Sequence, residues 1–363
     1  MTTKLILLGA GKIGAAILNL LSHTGDFELT VVERDSQRLH HVEQAGFPNV
    51  RTVQADLGDP NALAELIGGH EVTLSACPYF LTPVIAAAAR KARSHYFDLT
   101  EDVESTRVVR QLALNAETAF VPQCGLAPGF ISIVANDVAS RFEQLRDVHM
   151  RVGALPIYPS NALKYNLTWS TDGLINEYCN PCEAIVDGQL RETSALEEIE
   201  HFSLDGIGYE AFNTSGGLGT LCESLTGKVQ NLNYKTVRYP GHRDIIKMLV
   251  RDLQLGQPNR RHILKEVMEA SIPITRQDVV LVFVSVCGMR DGRLEQETYA
   301  RKIYSQTVNG RLLSAIQLTT AAGICAMVDL VMQGKLPHHG LVRQEQASLA
   351  DFLSNRFGCY YAA

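Results

Sequence analysis

The first residues of the chain constrain its fold more than any other stretch. Lys4–Leu8 is apolar after its first residue, a glycine pattern occupies residues 9–14, and Ala15–Leu21 is largely apolar. This order predicts a buried strand, a tight turn and a helix. Such glycines let the chain turn sharply and let a pyrophosphate approach the N–H groups that begin the helix. The residues expected to contact a dinucleotide here are Gly9, Gly11, Lys12, Ile13 and Gly14.

A second apolar run supports the dinucleotide site and bears on the cofactor. Leu29–Val32 reads as the next strand and is followed by Glu33, nineteen residues after Gly14. This fold places the carboxylate that binds the adenosine ribose at about that spacing. A carboxylate accepts hydrogen bonds from a free 2′-hydroxyl and repels a 2′-phosphate, so Glu33 favours NAD. Arg34 could neutralise such a phosphate, which keeps NADP as the less favoured alternative.

Composition indicates an ordinary globular protein with small-molecule partners. The chain has 363 residues, 46% of them hydrophobic and 20% charged, and a formal net charge of −6. This length suffices for two domains, and the charge offers no basic surface for nucleic acid or anionic lipid. We expect no nucleic-acid partner, no membrane and, without an export leader, a cytoplasmic location. The apolar stretch Leu312–Met332 carries polar residues and is interpreted as a buried helix.

Eight scattered cysteines are typical of reduced thiols. The pair Cys179 and Cys182 has no second pair or histidine cluster nearby, so we predict no metal site.

After Glu33 the chain alternates between strand and helix patterns. Helices are predicted at 37–45, 62–67, 83–93 and 104–115, and strands at 51–55, 71–75, 95–99 and 118–122. This alternation predicts an α/β fold with a Rossmann-type, doubly wound parallel sheet. Ligands of such sheets bind beyond the carboxyl ends of the strands. Further candidate cofactor residues at those ends are Asp56, Cys77, Pro78, Gly125, Leu126 and Pro128.

The pattern then changes to strands paired by tight turns. Strands are predicted at 148–152, 163–169, 184–186, 189–193, 232–238, 279–286 and 293–304, with helices at 244–253 and 261–269. Asp187-Gly188 and Asp291-Gly292 are hairpin turn signals. We therefore expect an inserted α+β domain of mostly antiparallel sheet. The predicted domains are residues 1–125 plus 313–363 for the dinucleotide and 126–312 for substrate and oligomer contacts.

The second domain offers candidate substrate residues. Arg238 could bind a carboxylate through two parallel hydrogen bonds, or it could be a solvated edge arginine. His242 could carry protons near neutral pH, or it could simply begin the next helix. Thr214 lies in a glycine-rich turn, Trp169 could wall a pocket or only fill the core, and Tyr239 follows Arg238.

An acidic run follows one strand of the parallel sheet. It consists of Asp98, Glu101 and Asp102. Such runs are usually solvated, but a carboxylate at a strand end can accept a proton from an amine. We expect at least one of the three to act in catalysis.

Several motifs along the chain resemble the saccharopine dehydrogenase family, and within it the lysine 6-dehydrogenase branch. They are the glycine pattern of 9–14, His95–Asp102, Gly125-Leu126-Ala127-Pro128-Gly129, Leu167–Ser170, Glu210–Phe212, Thr214 with Gly216–Leu218, Tyr234–His242, and Gly334–Pro337 with Gly340. The saccharopine reductases have an acidic residue where this chain has Ala127. The alanine suits the lysine branch.

The resemblance implies a reaction and its partners. It implies NAD-dependent oxidative deamination of the ε-amino group of L-lysine, a step of lysine catabolism. The product, 2-aminoadipate 6-semialdehyde, cyclises, and ammonia is released. The resemblance also implies that Arg238 and Thr214 bind the α-carboxylate, and that the protein is a homodimer or homotetramer.

Two alternatives stay open. One is a reductase of the saccharopine or carboxynorspermidine type, which joins an amine to a semialdehyde and should show an additional cation in the pocket. The other is a catalytically silent NAD-binding sensor, which should lack a proton acceptor near the nicotinamide.

Overall fold

The computed structural model describes residues 2–362 and divides the chain into two compact units. Unit 1 contains the residues up to Gly129, Thr307–Leu313 and the residues from Gln317 on. Unit 2 contains Phe130–Gln306 and Ser314–Ile316. The boundaries predicted from the sequence are 125/126 and 312/313.

Unit 1 alternates strands and helices. Its elements before residue 130 are β1 (Thr3–Leu8), α1 (Lys12–Leu21), β2 (Phe27–Glu33), α2 (Ser36–Gln44), β3 (Val50–Gln54), α3 (Pro60–Ile67), β4 (Val72–Ser75), α4 (Thr82–Ala92), β5 (His95–Asp98), α5 (Val103–Ala113) and β6 (Ala119–Val121). The predicted elements of this unit are present with ends displaced by one or two residues. The prediction is confirmed because the apolar period changes cleanly from strand to helix at each step.

Unit 2 is built on a mixed, mostly antiparallel sheet. Its elements are α6 (Phe130–Ala139), β7 (Gln144–Pro156), α7 (Thr171–Cys179), β8 (Cys182–Val186), β9 (Gln189–Thr193), β10 (Glu200–Leu204), β11 (Ile207–Asn213), α8 (Leu221–Leu225), β12 (Asn231–Arg238), α9 (His242–Lys247), a π-helix (Met248–Asp252), α10 (Arg261–Ser271), β13 (Asp278–Arg290) and β14 (Arg293–Tyr304). The strand order is β10-β11-β12-β7-β13-β14, and the β8–β9 hairpin pairs with β12. Only β12 and β7 are parallel neighbours in the described sheet.

The remaining elements follow β14. They are β15 (Gln306–Val308), β16 (Arg311–Leu313), α11 (Ala315–Met332), β17 (Gly340–Leu341) and α12 (Leu349–Ser354). Within the described chain, α11 alone is long and apolar enough to cross a membrane, and 83% of it is buried inside the protein. It is therefore placed as a core helix.

The unit 1 sheet is parallel throughout, in the order β17-β6-β5-β4-β1-β2-β3. The four residues Leu5–Leu8 of β1 are fully buried. A strand at the centre of a sheet that is covered on both faces is expected to be apolar throughout. The strand order reverses at β1, with β4 on one side and β2 on the other. The doubly wound parallel sheet and the antiparallel second sheet are both confirmed.

The tight hairpins of unit 2 form where the sequence has Asp-Gly. Asp187 and Gly188 have φ of +52° and +76°, and Asp291 and Gly292 have +51° and +71°. Two successive positive φ values are those of the type I′ turn, which matches the twist of the flanking strands. Asp205-Gly206 joins β10 to β11 with the same geometry. That hairpin was not predicted, although it carries the same signal.

One predicted strand is absent. Residues 163–169 form an irregular segment that hydrogen-bonds to a loop instead of a strand. The N–H of Leu167 and the Nδ2 of Asn166 both donate to the carbonyl of Pro273, at 3.1 and 3.0 Å. Asn161 bonds both the N–H and the carbonyl of Tyr165. The side chain of Asn161 and the carbonyl of Pro273 thus make hydrogen bonds that a neighbouring strand would otherwise have to make.

A buried aspartate caps the long helix α11. Asp278 accepts hydrogen bonds from the N–H groups of Ala315 at 2.6 Å and Ile316 at 3.1 Å, one to each carboxylate oxygen. Asp278→Ala should therefore lower the free energy of unfolding by about 2 kcal/mol, because two buried donors lose their acceptors. Asp278→Asn keeps one acceptor and should cost less. Urea unfolding followed by circular dichroism measures both, and equal losses would contradict the capping role.

Candidate functional site

The glycine turn between β1 and α1 has the geometry of a phosphate site. Gly9 has a φ of +95°, and a Cβ there would lie 2.9 Å from the carbonyl oxygen of Ala76. A Cβ at Gly14 would lie 2.1 Å from the oxygen of Gly9, so α1 passes in direct contact with the turn. Gly11 faces open space instead. The turn thus leaves room for a pyrophosphate above the N-terminus of α1.

The other predicted cofactor residues lie at the same sheet edge. Lys12 and Ile13 form the first turn of α1, the first exposed and the second half-buried. Asp56 follows β3, is exposed, and accepts the N–H of Gly58 at 2.9 Å. Pro78 follows β4 and is exposed. All of them follow the carboxyl ends of strands, either in a loop or in the first turn of α1, where the fold binds ligands.

Glu33 ends β2 as predicted, but its carboxylate already serves the backbone. Its Oε2 accepts the N–H of Ala10 at 2.9 Å, and its Oε1 accepts those of Arg34 and Asp35 at 3.0 and 3.2 Å. Arg34 is exposed, and Nη1 of Arg38 lies 3.8 Å from Oε2 of Glu33. The site where a ribose would bind therefore holds one carboxylate and two arginines.

The cysteines are unreactive at neutral pH where they border the sites. Burial raises the pKa of the Cys77 thiol, which lies next to Gly9, to about 12. Burial likewise raises the pKa of Cys182 to about 12 and also raises that of Cys179. All eight cysteines are free thiols. Within residues 2–362 no three His, Cys, Asp or Glu side chains gather as a metal site.

The loop after β6 closes on itself. A Cβ at Gly129 would lie 2.0 Å from the carbonyl oxygen of Gly125, and the two residues form an isolated β-bridge. Gly125, Leu126 and Pro128 are buried, whereas Ala127 is half-exposed. The exposed position of the loop is thus the one where the saccharopine reductases carry an acidic residue.

Asp98 is fully buried at the end of β5. Its Oδ1 accepts the N–H of Thr100 at 3.0 Å and that of Gln123 at 2.9 Å. Among residues 2–362 neither its Oδ2 nor the hydroxyl of Tyr96 has a well-formed hydrogen bond. Burial raises the pKa of Asp98 to about 6, and the two N–H groups oppose that rise. Only 1% of the residue is exposed, so a substrate cannot contact it in this conformation.

The other two acids of the run differ from Asp98 in environment. Asp102 caps α5, and its Oδ1 accepts the N–H of Ser105 at 2.7 Å. Glu101 is half-buried in the loop between β5 and α5. Of the three predicted acids, Glu101 is therefore the one that a ligand can approach.

In unit 2, Arg238 is buried among aromatic side chains. Its Nε donates to the hydroxyl of Tyr178 at 3.2 Å, and its Nη1 donates to the carbonyl of Val237 at 2.9 Å. Its guanidinium carbon lies 4.8 Å from the ring centroid of Tyr165, a cation–π contact. Nη2 has no hydrogen bond to any of residues 2–362. Burial alone would lower the pKa of Arg238, but Tyr178, Tyr165 and Glu177 raise it, so the charge is retained.

His242 is not placed to carry protons, contrary to the role expected for it. Its Nε2 is 3.0 Å from the hydroxyl of Tyr178, and its Nδ1 is 2.9 Å from the carbonyl of Leu163. Burial, followed by the charge of Arg238, lowers its pKa to about 3. A neutral ring that donates from Nδ1 and accepts at Nε2 satisfies both bonds. His242 therefore orients Tyr178, which in turn orients Arg238.

Strand alternation separates the other predicted substrate residues. Thr214 Oγ1 is 2.7 Å from Thr236 Oγ1, and Thr236 shares a face of β12 with Arg238. Tyr239 turns to the opposite face, where its hydroxyl donates to the carbonyl of Pro156 at 2.9 Å. The structure thus argues against Tyr239 as a substrate residue. Trp169 is half-buried and packs against the apolar cluster that contains Tyr165 and Tyr178.

Three residues close to Arg238 were not predicted from the sequence. They are Tyr165, Glu177 and Tyr178, all buried. Tyr165 belongs to the stretch whose pattern predicts a strand, and Glu177 and Tyr178 lie on α7, which was not predicted. Each of them approaches Arg238 only in space, and spacing along the chain does not reveal that proximity.

Comparison with known families now identifies the chain. Residues 5–121 match the family model of the saccharopine dehydrogenase NADP binding domain, and residues 125–356 match that of the saccharopine dehydrogenase C-terminal domain. The chain belongs to the saccharopine dehydrogenase family. The resemblance to this family, inferred from the motifs, is confirmed, and the comparisons point to a nicotinamide dinucleotide as the cofactor of the glycine turn.

The curated relatives are distant. A saccharopine dehydrogenase [NADP(+), L-glutamate-forming] of Pyricularia oryzae is 23% identical over 303 residues, which are 78% of this chain and 67% of the relative. The enzyme of the same description from Schizosaccharomyces pombe is 22% identical and is covered over 57% of its length. The mitochondrial alpha-aminoadipic semialdehyde synthase of Mus musculus is 23% identical over 52% of this chain, and the match spans 21% of that protein.

A solved structure has the same fold. The apo saccharopine dehydrogenase (L-Glu forming) of Saccharomyces cerevisiae superposes with a TM-score of 0.77 at 17% identity, covering 94% of each chain. The family fold therefore extends over nearly the whole of both chains.

The burial of Asp98 predicts a pH-dependent stability. Its pKa is raised on folding, so its contribution is favourable at low pH and is lost as the pH rises through about 6. Asp98→Asn removes that loss and keeps an Oδ1 acceptor. The variant should gain stability over the wild type, by about 1–2 kcal/mol more at pH 8 than at pH 5. Urea unfolding at the two pH values measures the difference. Tyr96 and Cys124, which lie beside Asp98, stay protonated because burial raises the pKa of each. A gain that does not change with pH would contradict the prediction.

Proposed function

We propose that this protein is a nicotinamide-dinucleotide-dependent amino acid dehydrogenase that oxidatively deaminates the ε-amino group of L-lysine. The observation that carries the proposal is that Arg238 is buried on the face of β12 that also carries Thr236. This face is called the substrate side of β12. Membership of the family supports the reaction class, since its named relatives are dehydrogenases of amino acids. Cytoplasmic location and a homodimeric or homotetrameric assembly stay predictions.

Arg238 and Glu177 suit the zwitterionic end of an α-amino acid. Arg238 keeps its charge, and its Nη2 is available for a carboxylate within a cluster of tyrosines. Glu177 is buried close enough to raise the pKa of Arg238. A substrate carboxylate on Arg238 and a substrate ammonium near Glu177 would each lie beside a group of opposite charge.

The buried cations of unit 2 indicate a substrate with one carboxylate. Besides Arg238, the buried cations among the described residues of this unit are Arg151 and Lys235. These two are neighbours across β7 and β12 and both bind the carboxylate of Glu200, at 2.6–2.9 Å. Lys235 faces away from Arg238, since the two are three positions apart along the strand. A substrate with a second carboxylate arm would find no second buried cation on the side of Arg238.

The proton of the ε-amine is the first chemical problem. A lysine amine has a reference pKa of about 10.4 and must lose a proton before its carbon can release hydride. We assign that proton to Glu101, because Asp98 is enclosed and Asp102 caps α5. When bound, the nicotinamide supplies the hydride acceptor. Water then hydrolyses the substrate imine to the semialdehyde and ammonia, and the semialdehyde cyclises with the α-amine.

NAD is retained as the expected cofactor, on the carboxylate of Glu33 at the end of β2. Two facts count against this preference. The matching family model and the fungal relatives are described by NADP, and Arg34 and Arg38 stand beside Glu33. A higher kcat/KM with NADP would overturn the preference and would assign the two arginines to the 2′-phosphate.

A second candidate function is a saccharopine-type reaction, which joins an amine to a semialdehyde or reverses that step. The observation in its favour is that the matched relatives carry that description. It requires a cation for the second carboxylate arm.

A substrate screen separates these functions. NADH or NADPH formation would be followed with lysine, ornithine, saccharopine and carboxynorspermidine, each with NAD and with NADP. We expect lysine to reduce the cofactor with release of ammonia, and saccharopine to be inactive. Turnover of saccharopine with formation of glutamate would establish the second candidate. A protein that binds the cofactor but turns over none of the substrates would be a sensor.

Arg238→Lys tests the substrate end. Lysine keeps the charge but loses the bond to Tyr178 and the planar fork, so the KM for the amino acid should rise about 10- to 100-fold. The KM for the dinucleotide should stay unchanged. Tyr239→Phe is the matched control, because the adjacent side chain lies on the opposite face of β12. An equal rise in both KM values, or an effect of the control as large as that of Arg238→Lys, would refute the assignment.

A further inference from the structure

The loop after β6, residues 123–129, is held in one conformation from several sides. Nε2 of Gln344 donates to the carbonyl of Pro122 at 2.9 Å. A Cβ at Gly323, on α11, would lie 2.7 Å from the carbonyl oxygen of Cys124, so the helix touches the loop backbone. Contacts this close leave the loop little freedom.

Asp98 is a further support of this loop. Its Oδ1 joins the N–H of Thr100, in its own loop, to the N–H of Gln123. The N–H of Cys124 donates to the backbone carbonyl of Asp98 at 2.8 Å. Gln123 has a φ of +65°, a left-handed value that a residue with a side chain rarely adopts. The bond to Asp98 helps to hold Gln123 in that conformation.

Strand order assigns this loop to one half of the dinucleotide. The glycine turn follows β1, and Glu33 ends β2, so the adenosine half belongs over β1, β2 and β3. The loops after β4, β5 and β6 lie across the switch point, on the nicotinamide side. The loop that Asp98 supports is therefore a nicotinamide loop.

We propose that Asp98 is a positioning residue that fixes the nicotinamide loop, and that it does not exchange protons with the substrate. The inference rests on the proposed function, in that unit 1 must bind a nicotinamide dinucleotide. A single carboxylate oxygen of Asp98 sets the spacing between the loop after β5, which carries Glu101, and the loop after β6. An enclosed side chain with both bonds to backbone N–H groups suits that structural role.

Binding of two ligands tests the proposal. NADH contains the nicotinamide, whereas ADP-ribose has the adenosine, the diphosphate and the second ribose but no nicotinamide; an NADP-specific protein would be tested with NADPH and 2′-phospho-ADP-ribose. Calorimetry on the full chain would give both Kd values for the wild type, Asp98→Ala and Asp98→Asn. Asp98→Ala should weaken NADH about tenfold and leave ADP-ribose within twofold. Asp98→Asn should restore NADH to within about threefold, because its Oδ1 still accepts both N–H groups.

Each other outcome is informative. Equal weakening of both ligands by Asp98→Ala would overturn the proposal, and so would an Asp98→Asn variant as weak as the alanine variant. If Asp98→Ala does not fold, Asp98→Glu serves instead, because it keeps the carboxylate but displaces the oxygen by one methylene. It should weaken NADH selectively, and unchanged NADH binding would overturn the proposal. A wild type that binds neither ligand would overturn the proposed function itself, and the inference with it.

Discussion

Two buried carboxylates hold the loops at the carboxyl edge of the parallel sheet. Glu33 binds three backbone N–H groups on the adenosine side, and Asp98 binds two on the nicotinamide side. Loops at such an edge direct some of their backbone N–H groups toward a ligand. The N–H groups that point into the protein still need hydrogen-bond acceptors. An acidic side chain at a strand end supplies the inward acceptor without lengthening the loop. The shape of the cofactor site depends on these bonds.

The same constraint divides the roles among the acids of residues 98–102. A carboxylate oxygen that already bonds backbone N–H groups cannot bind a substrate without releasing them, and each lost bond to a buried donor costs about 1–3 kcal/mol. Asp98 and Asp102 are both bound to backbone N–H groups. Glu101 is the half-buried acid between them and is the one that a ligand can approach. A run of acids that looks equivalent in sequence therefore contains one candidate for chemistry and two supports.

Unit 1 could be predicted almost completely from sequence because each of its elements has a clear apolar period. Unit 2 was harder, for physical reasons that its elements show. Residues 163–169 have the β-branched and aromatic character of a strand. Their backbone is bonded instead to the nearby side chain of Asn161 and to the carbonyl of Pro273, which only the tertiary structure brings close. Helix α7 lacks an apolar period because most of its residues are buried all round. The β10–β11 hairpin has an Asp-Gly signal as clear as those of the two predicted hairpins.

The candidate site was predicted less well than the fold. Arg238 and Tyr239 are adjacent, and sequence alone cannot say which of the two faces the substrate side; their contacts decide it, with Tyr178 for Arg238 and with Pro156 for Tyr239. The role expected of His242 failed for a related reason. A histidine pKa depends on what encloses the ring, and here burial and Arg238 both act against protonation. Such surroundings come from distant parts of the chain.

The distribution of cations on β12 also bears on specificity. The segment Tyr234–His242 has two cationic residues, Lys235 and Arg238, but strand alternation sends them to opposite faces, and Glu200 binds Lys235. The substrate side keeps one buried guanidinium. If Arg238 binds the substrate carboxylate as proposed, the distance from that carboxylate to the oxidised carbon would set the length of substrate that is accepted. One methylene more or less in a substrate changes the binding free energy by only about 1–3 kcal/mol, whereas a substrate that leaves a buried charge unpaired loses more. Selection against substrates with no carboxylate should therefore be stricter than selection by chain length.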